Sequence, residues 1–168
     1  MASLTAKLTT DLVATLTNAL DLSTVTDPLD FKSTISLSSG TGANQADMLW
    51  HDTRTLSASA TEDLDLAGVL TNAFGTTQTF ARIKVVMVTA ASGNTNNVNV
   101  TRPASNGVPL FLAASDGIPV RPGGLFLWVA PDATAVAVTA GTGDLLTFTN
   151  SAGSTSVTYS VAIIGASA

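Results

Sequence analysis

Residues 80–90, FARIKVVMVTA, do most to constrain how this chain can fold. Ile83, Val85 and Met87 alternate with Arg82, Lys84 and Val86. A period of two predicts a strand with one apolar row turned into a core and both basic side chains on the opposite face. Branched residues dominate, no Gly or Pro interrupts, and Ala91-Ser92-Gly93-Asn94 ends the run with turn chemistry. A half-buried central strand of this kind requires a sheet around it.

The rest of the chain supplies candidate partners. Short extended runs are expected at residues 55–60, 61–66 and 69–74, then at 97–101, 109–113, 124–130, 135–139, 145–149 and 156–164, with turn residues between them. In residues 61–66, Leu64 and Leu66 are expected inward and Glu62, Asp63 and Asp65 exposed. In the last run Val157, Tyr159, Val161 and Ile163 share one face. Eight or more short strands at a spacing of roughly 8–12 residues argue for an antiparallel sandwich or barrel. The expected class is all-β, an antiparallel β-sandwich of jelly-roll type, because folding two sheets together protects their edges. An immunoglobulin-like sandwich is the second choice, without the cysteine pair of a true immunoglobulin domain. The tetrapeptide LTNA recurs at residues 16–19 and 70–73, which is too little to mark a repeat architecture.

The N-terminal region is ambiguous. Leu4, Leu8, Leu12, Leu16 and Leu20 recur at every fourth position, which a helix would place on a slowly drifting stripe. The same residues fit a period of two, with Thr5, Lys7, Thr9, Asp11, Thr15 and Thr17 on the other side. The heavy threonine content favours a strand, since a branched Cβ loses freedom in a helix. Residues 4–22 are therefore expected as an extended arm or edge strand, with a helix as the alternative. An extended apolar arm suits pairing with another subunit by strand addition; an ordinary first strand of the same sheet is the plainer alternative. Asp27-Pro28 reads as a turn, residues 31–37 as a short alternating strand, and residues 38–42 as a flexible loop. Residues 43–53 are expected as a helical turn or two, or an irregular crossover. The chain divides on this reading into an arm and crossover segment, residues 1–53, and a β-sandwich domain, residues 54–168.

Composition bears on what surrounds such a fold. The 168 residues suit one domain with an arm. Apolar residues make up 45% and charged residues only 11%, against roughly a quarter in an ordinary soluble domain. A surface of Thr, Ser, Ala and Asn loses little on desolvation, which suits a protein packed against neighbours; a secreted or thermally robust β-protein is the alternative. Net charge is −5, and no basic cluster exists that could neutralise several phosphates, which argues against direct nucleic-acid binding. No cysteine is present, so disulfides and thiolate metal sites are excluded. The N-terminus lacks the apolar region of a signal peptide, and the longest apolar run, residues 125–131, is too short to span a bilayer. A soluble product with no membrane partner is expected.

Chemistry finds little support. His51 is the only histidine; beside Asp52 and near Asp47 it does not make a zinc ligand set. A nucleophilic triad would have to run through His51, and no serine lies in a GxSxG context. Asp63 and Asp65 share a strand face, and calcium takes several carboxylate oxygens, but no EF-hand or Gly-Asp repeat surrounds them, so a solvated face is expected. The glycine-rich residues 38–42 and 140–144 lack a phosphate-binding pattern. Trp50, Trp128 and Tyr159 are scattered, which does not suit a stacking row for sugars or bases. No enzymatic activity, cofactor or metal is expected.

Residues 40–68 (GTGANQADMLWHDTRTLSASATEDLDLAG), residues 80–97 and the tail elements GDLL, NSAG and SVTY resemble small structural proteins of tailed bacteriophages and prophages. The resemblance covers most of the chain. Its motifs are not catalytic, so no site residue carries over. It implies a virion protein made in the host cytoplasm, in the first place a capsid decoration or cement protein. Such proteins sit over joints between capsid subunits, often as trimers, and hold the shell against internal DNA pressure. The implied partners are the major capsid protein and further copies of the chain, a trimer being favoured. A tail, neck or fibre component is the nearest alternative. A receptor- or carbohydrate-binding β-sandwich is the alternative of another class, and a hydrolase running through His51 is a third. The candidate subunit-interface residues are Leu4, Leu8, Leu12, Leu16, Leu20, Trp50, Arg54, Arg82 and Lys84, with the loop of residues 44–54.

Overall fold

The computed structural model describes residues 3–168; Met1 and Ala2, the start of the expected arm, lie outside the described residues. All regular structure among the described residues is β. The strands β1 (Ala6–Ala19) and β2 (Thr24–Ser39) form one long antiparallel hairpin, and β3 (Gln45–Ala46) pairs briefly in parallel with the end of β2. There follow β4 (Met48–Leu56), β5 (Thr61–Asp65), β6 (Ala67–Thr71), β7 (Thr77–Thr79), β8 (Arg82–Ala90), β9 (Val98–Thr101) and β10 (Gly117–Val120). The chain closes with β11 (Leu125–Val129), β12 (Val136–Ala137), β13 (Leu145–Asn150) and β14 (Val157–Ala166). Two antiparallel sheets make the body, ordered β10-β9-β13-β5 and β11-β8-β14-β4, with β12 also pairing β8. They pack face to face as a β-sandwich. The chain crosses from one sheet to the other at β4–β5, between β5 and β8 by way of the β6–β7 hairpin, and at β8–β9, β10–β11, β12–β13 and β13–β14.

One core lies between the sheets. Val86 and Val88 of β8 and the row Val157, Tyr159, Val161 and Ile163 of β14 meet Val98 and Val100 of β9 and Leu146 and Phe148 of β13. The Phe148 and Tyr159 rings stack across the core with centroids 4.7 Å apart. The alternation expected in the last strand is what fills the core.

The strands β4 and β5 are the edges of their respective sheets, and a polar cluster ties them together. Arg54 Nη1 donates to Glu62 Oε2 at 2.5 Å, Arg54 Nε to Asp52 Oδ2 at 3.2 Å, and the Tyr159 hydroxyl to Glu62 Oε1 at 2.6 Å. The guanidinium also lies 5.7 Å from the centroid of the Trp50 ring. Glu62, expected to be exposed, is thus turned inward with Leu64. The pleat of β5 puts residues 62 and 64 on one face and Asp63 and Asp65 on the other.

Burial, reinforced by the bond to Glu62, raises the Tyr159 pKa well above the ordinary phenol value. A group whose pKa is raised by folding contributes stability that is fully present below its unfolded pKa. That contribution is lost as pH rises beyond it, here above about pH 10. Tyr159→Phe is expected to lower stability at pH 7 by about 1–2 kcal/mol, through the lost bond to Glu62, and to flatten the alkaline fall. Urea unfolding at neutral pH and at pH 11 measures both; an unchanged alkaline slope in the variant would refute the assignment.

The central strand departs from its expected phase. Val86 and Val88 fill the core, whereas Val85 packs on the opposite side of the sheet and Met87 is partly exposed. The cause is a bulge. Ile164 of β14 pairs with Val85 and the next residue, Gly165, pairs with Ile83, so Lys84 is an extra residue in β8. One inserted residue reverses the side taken by every residue after it. Lys84 is therefore not on a solvent face; it is fully buried, and its Nζ donates to the carbonyl oxygens of Gly42 at 2.5 Å and Asp132 at 3.0 Å. Gly165 faces this bulge. A Cβ there would come within 2.2 Å of the Arg82 carbonyl, so the backbones can approach only at a glycine.

Three further expectations are corrected. Asp27-Pro28 is no turn: it lies inside β2 opposite Leu16 and Thr15, and the chain reverses at residues 20–23, where Leu20 N donates to Ser23 O at 2.7 Å. The hairpin has free outer edges, which is where a strand tolerates proline. Residues 43–53 hold β3 and most of β4, so the sandwich begins near Met48. Residues 109–113 form no strand but a loop, held in part by Arg102 Nη1 donating to the Phe111 carbonyl at 3.2 Å.

Candidate functional site

The hairpin of β1 and β2 pairs without a break from Ala6↔Leu37 to Ala19↔Thr24. Its register sorts the side chains. Leu8, Leu12, Ala14 and Leu16 lie opposite Ile35, Phe31, Leu29 and Asp27, and this face is apolar apart from Asp27 and small polar groups. The other face carries threonines and charges, among them the exposed pair Lys32–Asp11 at 3.7 Å, which adds little to stability.

The base of the apolar face is anchored. Leu4, Ala6, Ile35 and Leu37 pack on Val85, Leu127, Val129 and Ile164, on the outer face of the β11-β8-β14-β4 sheet. Past Leu8 and Ile35 the ribbon parts from the sheet, leaving an apolar crevice of about 230 Å³ over Met87 and Ala162. Beyond that point the ribbon stands in solvent, with Leu12, Val25 and Leu29 exposed, Phe31 at 55% and Leu16 at 72%. A lone two-stranded ribbon is marginally stable in water, and a continuous exposed apolar row marks an interaction surface. The arm therefore has the form of a surface that lacks its partner.

The structure sorts the candidate interface residues into two groups. Leu4 and Leu8 lie at the arm's base, Leu12 and Leu16 on its exposed apolar face, and Leu20 at the tip. The other four make contacts within their own chain. Trp50 is 3% exposed and Lys84 is buried, so neither can reach a neighbouring subunit. Burial of Lys84 lowers its pKa, a tendency that Arg82 adds to and Asp132 opposes. Asp132 is itself held below the usual carboxylate range, chiefly by the Ala135 N–H and also by that of Thr134. Arg54 is engaged with Glu62, and Arg82 donates to the Ala133 carbonyl at 2.6 Å. Sequence reasoning missed the second half of the arm, Val25, Leu29 and Phe31. Its only signal was the alternation of Phe31, Ile35 and Leu37, which extends back through Leu29 once Asp27-Pro28 is not taken as a turn.

Other chemistry is dispersed. His51 sits exposed on the outer face of β4, and no three His, Asp or Glu side chains among the described residues are grouped to hold a metal ion. Asp63 accepts from the Thr147 hydroxyl at 2.5 Å and Asp65 from the Ala67 N–H at 2.9 Å. No helix among the described residues is long and apolar enough to cross a membrane. In comparisons with known proteins, no family profile, no curated protein and no solved structure matches the chain.

Proposed function

We propose that this chain is a structural protein of a phage virion, a capsid decoration or cement protein that lies over joints between subunits of the major capsid protein. The observation that carries this reading is the arm: an apolar ribbon of about ten residue pairs held away from its own body is suited to an assembly and not to a free monomer. The sandwich adds support. Its strand order is read as that of a jelly roll, an architecture used by viral capsid proteins, though also by lectin domains. The sparse charge supports extensive burial between neighbours, and the resemblance of residues 40–68 and 80–97 supports the phage setting.

The mechanism is multivalent clamping. Copies joined through their arms, a trimer being favoured, present several bodies to the shell at once, so that individually modest contacts add up. Quantitative mass spectrometry of purified virions tests the reading. Copies approaching those of the major capsid protein are expected. A handful per particle would move the protein to the tail, neck or fibre, and absence from the particle would overturn the virion function.

A further inference from the structure

The sheet face that anchors the arm's base is only partly covered. The arm buries Val85 and half-buries Leu127 and Ile164, but Met87 remains 37% exposed and Leu125 59%. Met87 lies between Leu127 of β11 and Ala162 of β14, and Leu125 is next on the same face, opposite Thr89. Each chain thus displays an apolar ribbon without a surface beneath it, and an apolar surface without a ribbon above it. We propose that the distal arm of one copy lies on the Met87–Leu125 face of a second copy. The inference concerns self-association alone and stands whether or not the protein belongs to a virion.

Three observations favour a second copy over a foreign partner. The contact extends one the chain already makes: Ala6 and Leu37 of the same ribbon face pack on Val85 and Ile164 of the same sheet face. The arm cannot fold down onto its own sheet without bending, because its register runs unbroken from residue 6 to residue 19 with no bulge to turn it. The ribbon is also large enough. With ten residue pairs it is roughly 34 Å long and 10 Å wide, so one arm given and one received cover at most about 700 Å² per chain, within the range of roughly 600–1,000 Å² per partner of a stable interface.

Because unlike surfaces meet, the contact can be split between two variants. Phe31→Asp places a charge on the exposed arm, and Met87→Asp places one on the receiving face. Sedimentation velocity of the full chain at micromolar concentration is expected to show an oligomer. Each variant should associate at least a hundredfold more weakly, with circular dichroism showing the fold retained. An equimolar mixture should recover a two-chain species, since one intact arm still meets one intact face. Should Met87→Asp disturb the fold, Leu125→Asp tests the same face. A wild-type chain that is monomeric at about 100 μM would overturn the proposal. So would a face variant that associates like wild type, or a mixture that fails to recover, which would mean that arm meets arm.

Discussion

A chain in which residues 11–32 are replaced by Asn-Gly is expected to remain folded and to lose self-association. The register makes the excision possible: Thr10 lies opposite Ser33 in a hydrogen-bonded pair of the ladder, and a two-residue Asn-Gly turn closes such a pair with the twist that antiparallel strands require. Nothing removed belongs to the core between the sheets, which draws its residues from Met48 onward. The contacts beneath the arm, made by Leu4, Ala6, Ile35 and Leu37, are also kept. What is lost is the distal apolar row, chiefly Leu12, Leu16, Val25, Leu29 and Phe31, each side chain worth on the order of 1 kcal/mol when covered. That sum is enough to take association from micromolar to undetectable. Light scattering after size exclusion gives the mass directly. The melting temperature of the shortened chain should not vary with protein concentration, whereas that of the full chain should rise with it. A shortened chain that assembles like the full one would remove the arm from any account of function. Deleting residues 3–22 alone is a different experiment. It strips β2 of its partner, leaves a long apolar edge exposed, and should give aggregation instead of a clean monomer.

The arm also shows which parts of this fold were legible in the sequence. The leucines at positions 4 to 20 could be read as one apolar row because threonines and charges separate them. Their partners on β2 were hidden by Asp27-Pro28, a strong local turn signal that fourteen consecutive cross-strand pairs override. Local chemistry cannot register pairing with residues a dozen positions away. The strands β9, β11, β13 and β14 were found where expected because turn residues flank them closely. The strand β8 was located correctly and Ile83 faces the core as expected, but beyond the bulge the two faces are exchanged. Both of its sides are covered, one by the opposite sheet and one by the arm, so Val85 and Val86 differ in no property that sequence displays. Glu62 was misread for the same reason in reverse: a carboxylate suggests solvent, and the guanidinium and phenol that receive it inside come from Arg54 and Tyr159, far apart in the chain.

Lys84→Ala is expected to lower stability by about 3–4 kcal/mol, a large share of the roughly 5–15 kcal/mol that holds a domain together. The substitution removes two charge-assisted hydrogen bonds at once and leaves the Gly42 and Asp132 carbonyls unpaired by Nζ. Lys84→Met should cost about half as much. It keeps the apolar stem and abolishes the desolvation of a buried ammonium, while still depriving both carbonyls of their donor. Deleting residue 84 altogether should cost about as much as Lys84→Ala, since the same two hydrogen bonds are lost. The bulge would disappear without exchanging any faces, because Ile83 already lies opposite Gly165 on the core side and Val85 opposite Ile164 on the outer side. The order Ala, Met, wild type in urea midpoint is the signature of a bulge held by its lysine, and an alanine variant as stable as wild type would deny Lys84 that role. The consequence reaches the arm. Gly42 lies in the loop that carries β2 into β3, and the same loop is tied to the β11–β12 connection by Asn44 N donating to Pro131 O at 2.7 Å. Without Nζ that loop keeps one of its two links to the connection. Proteolysis between residues 40 and 44 should then quicken in Lys84→Ala before the sandwich itself unfolds, because the residue that sets the phase of the central strand also fixes the root of the arm.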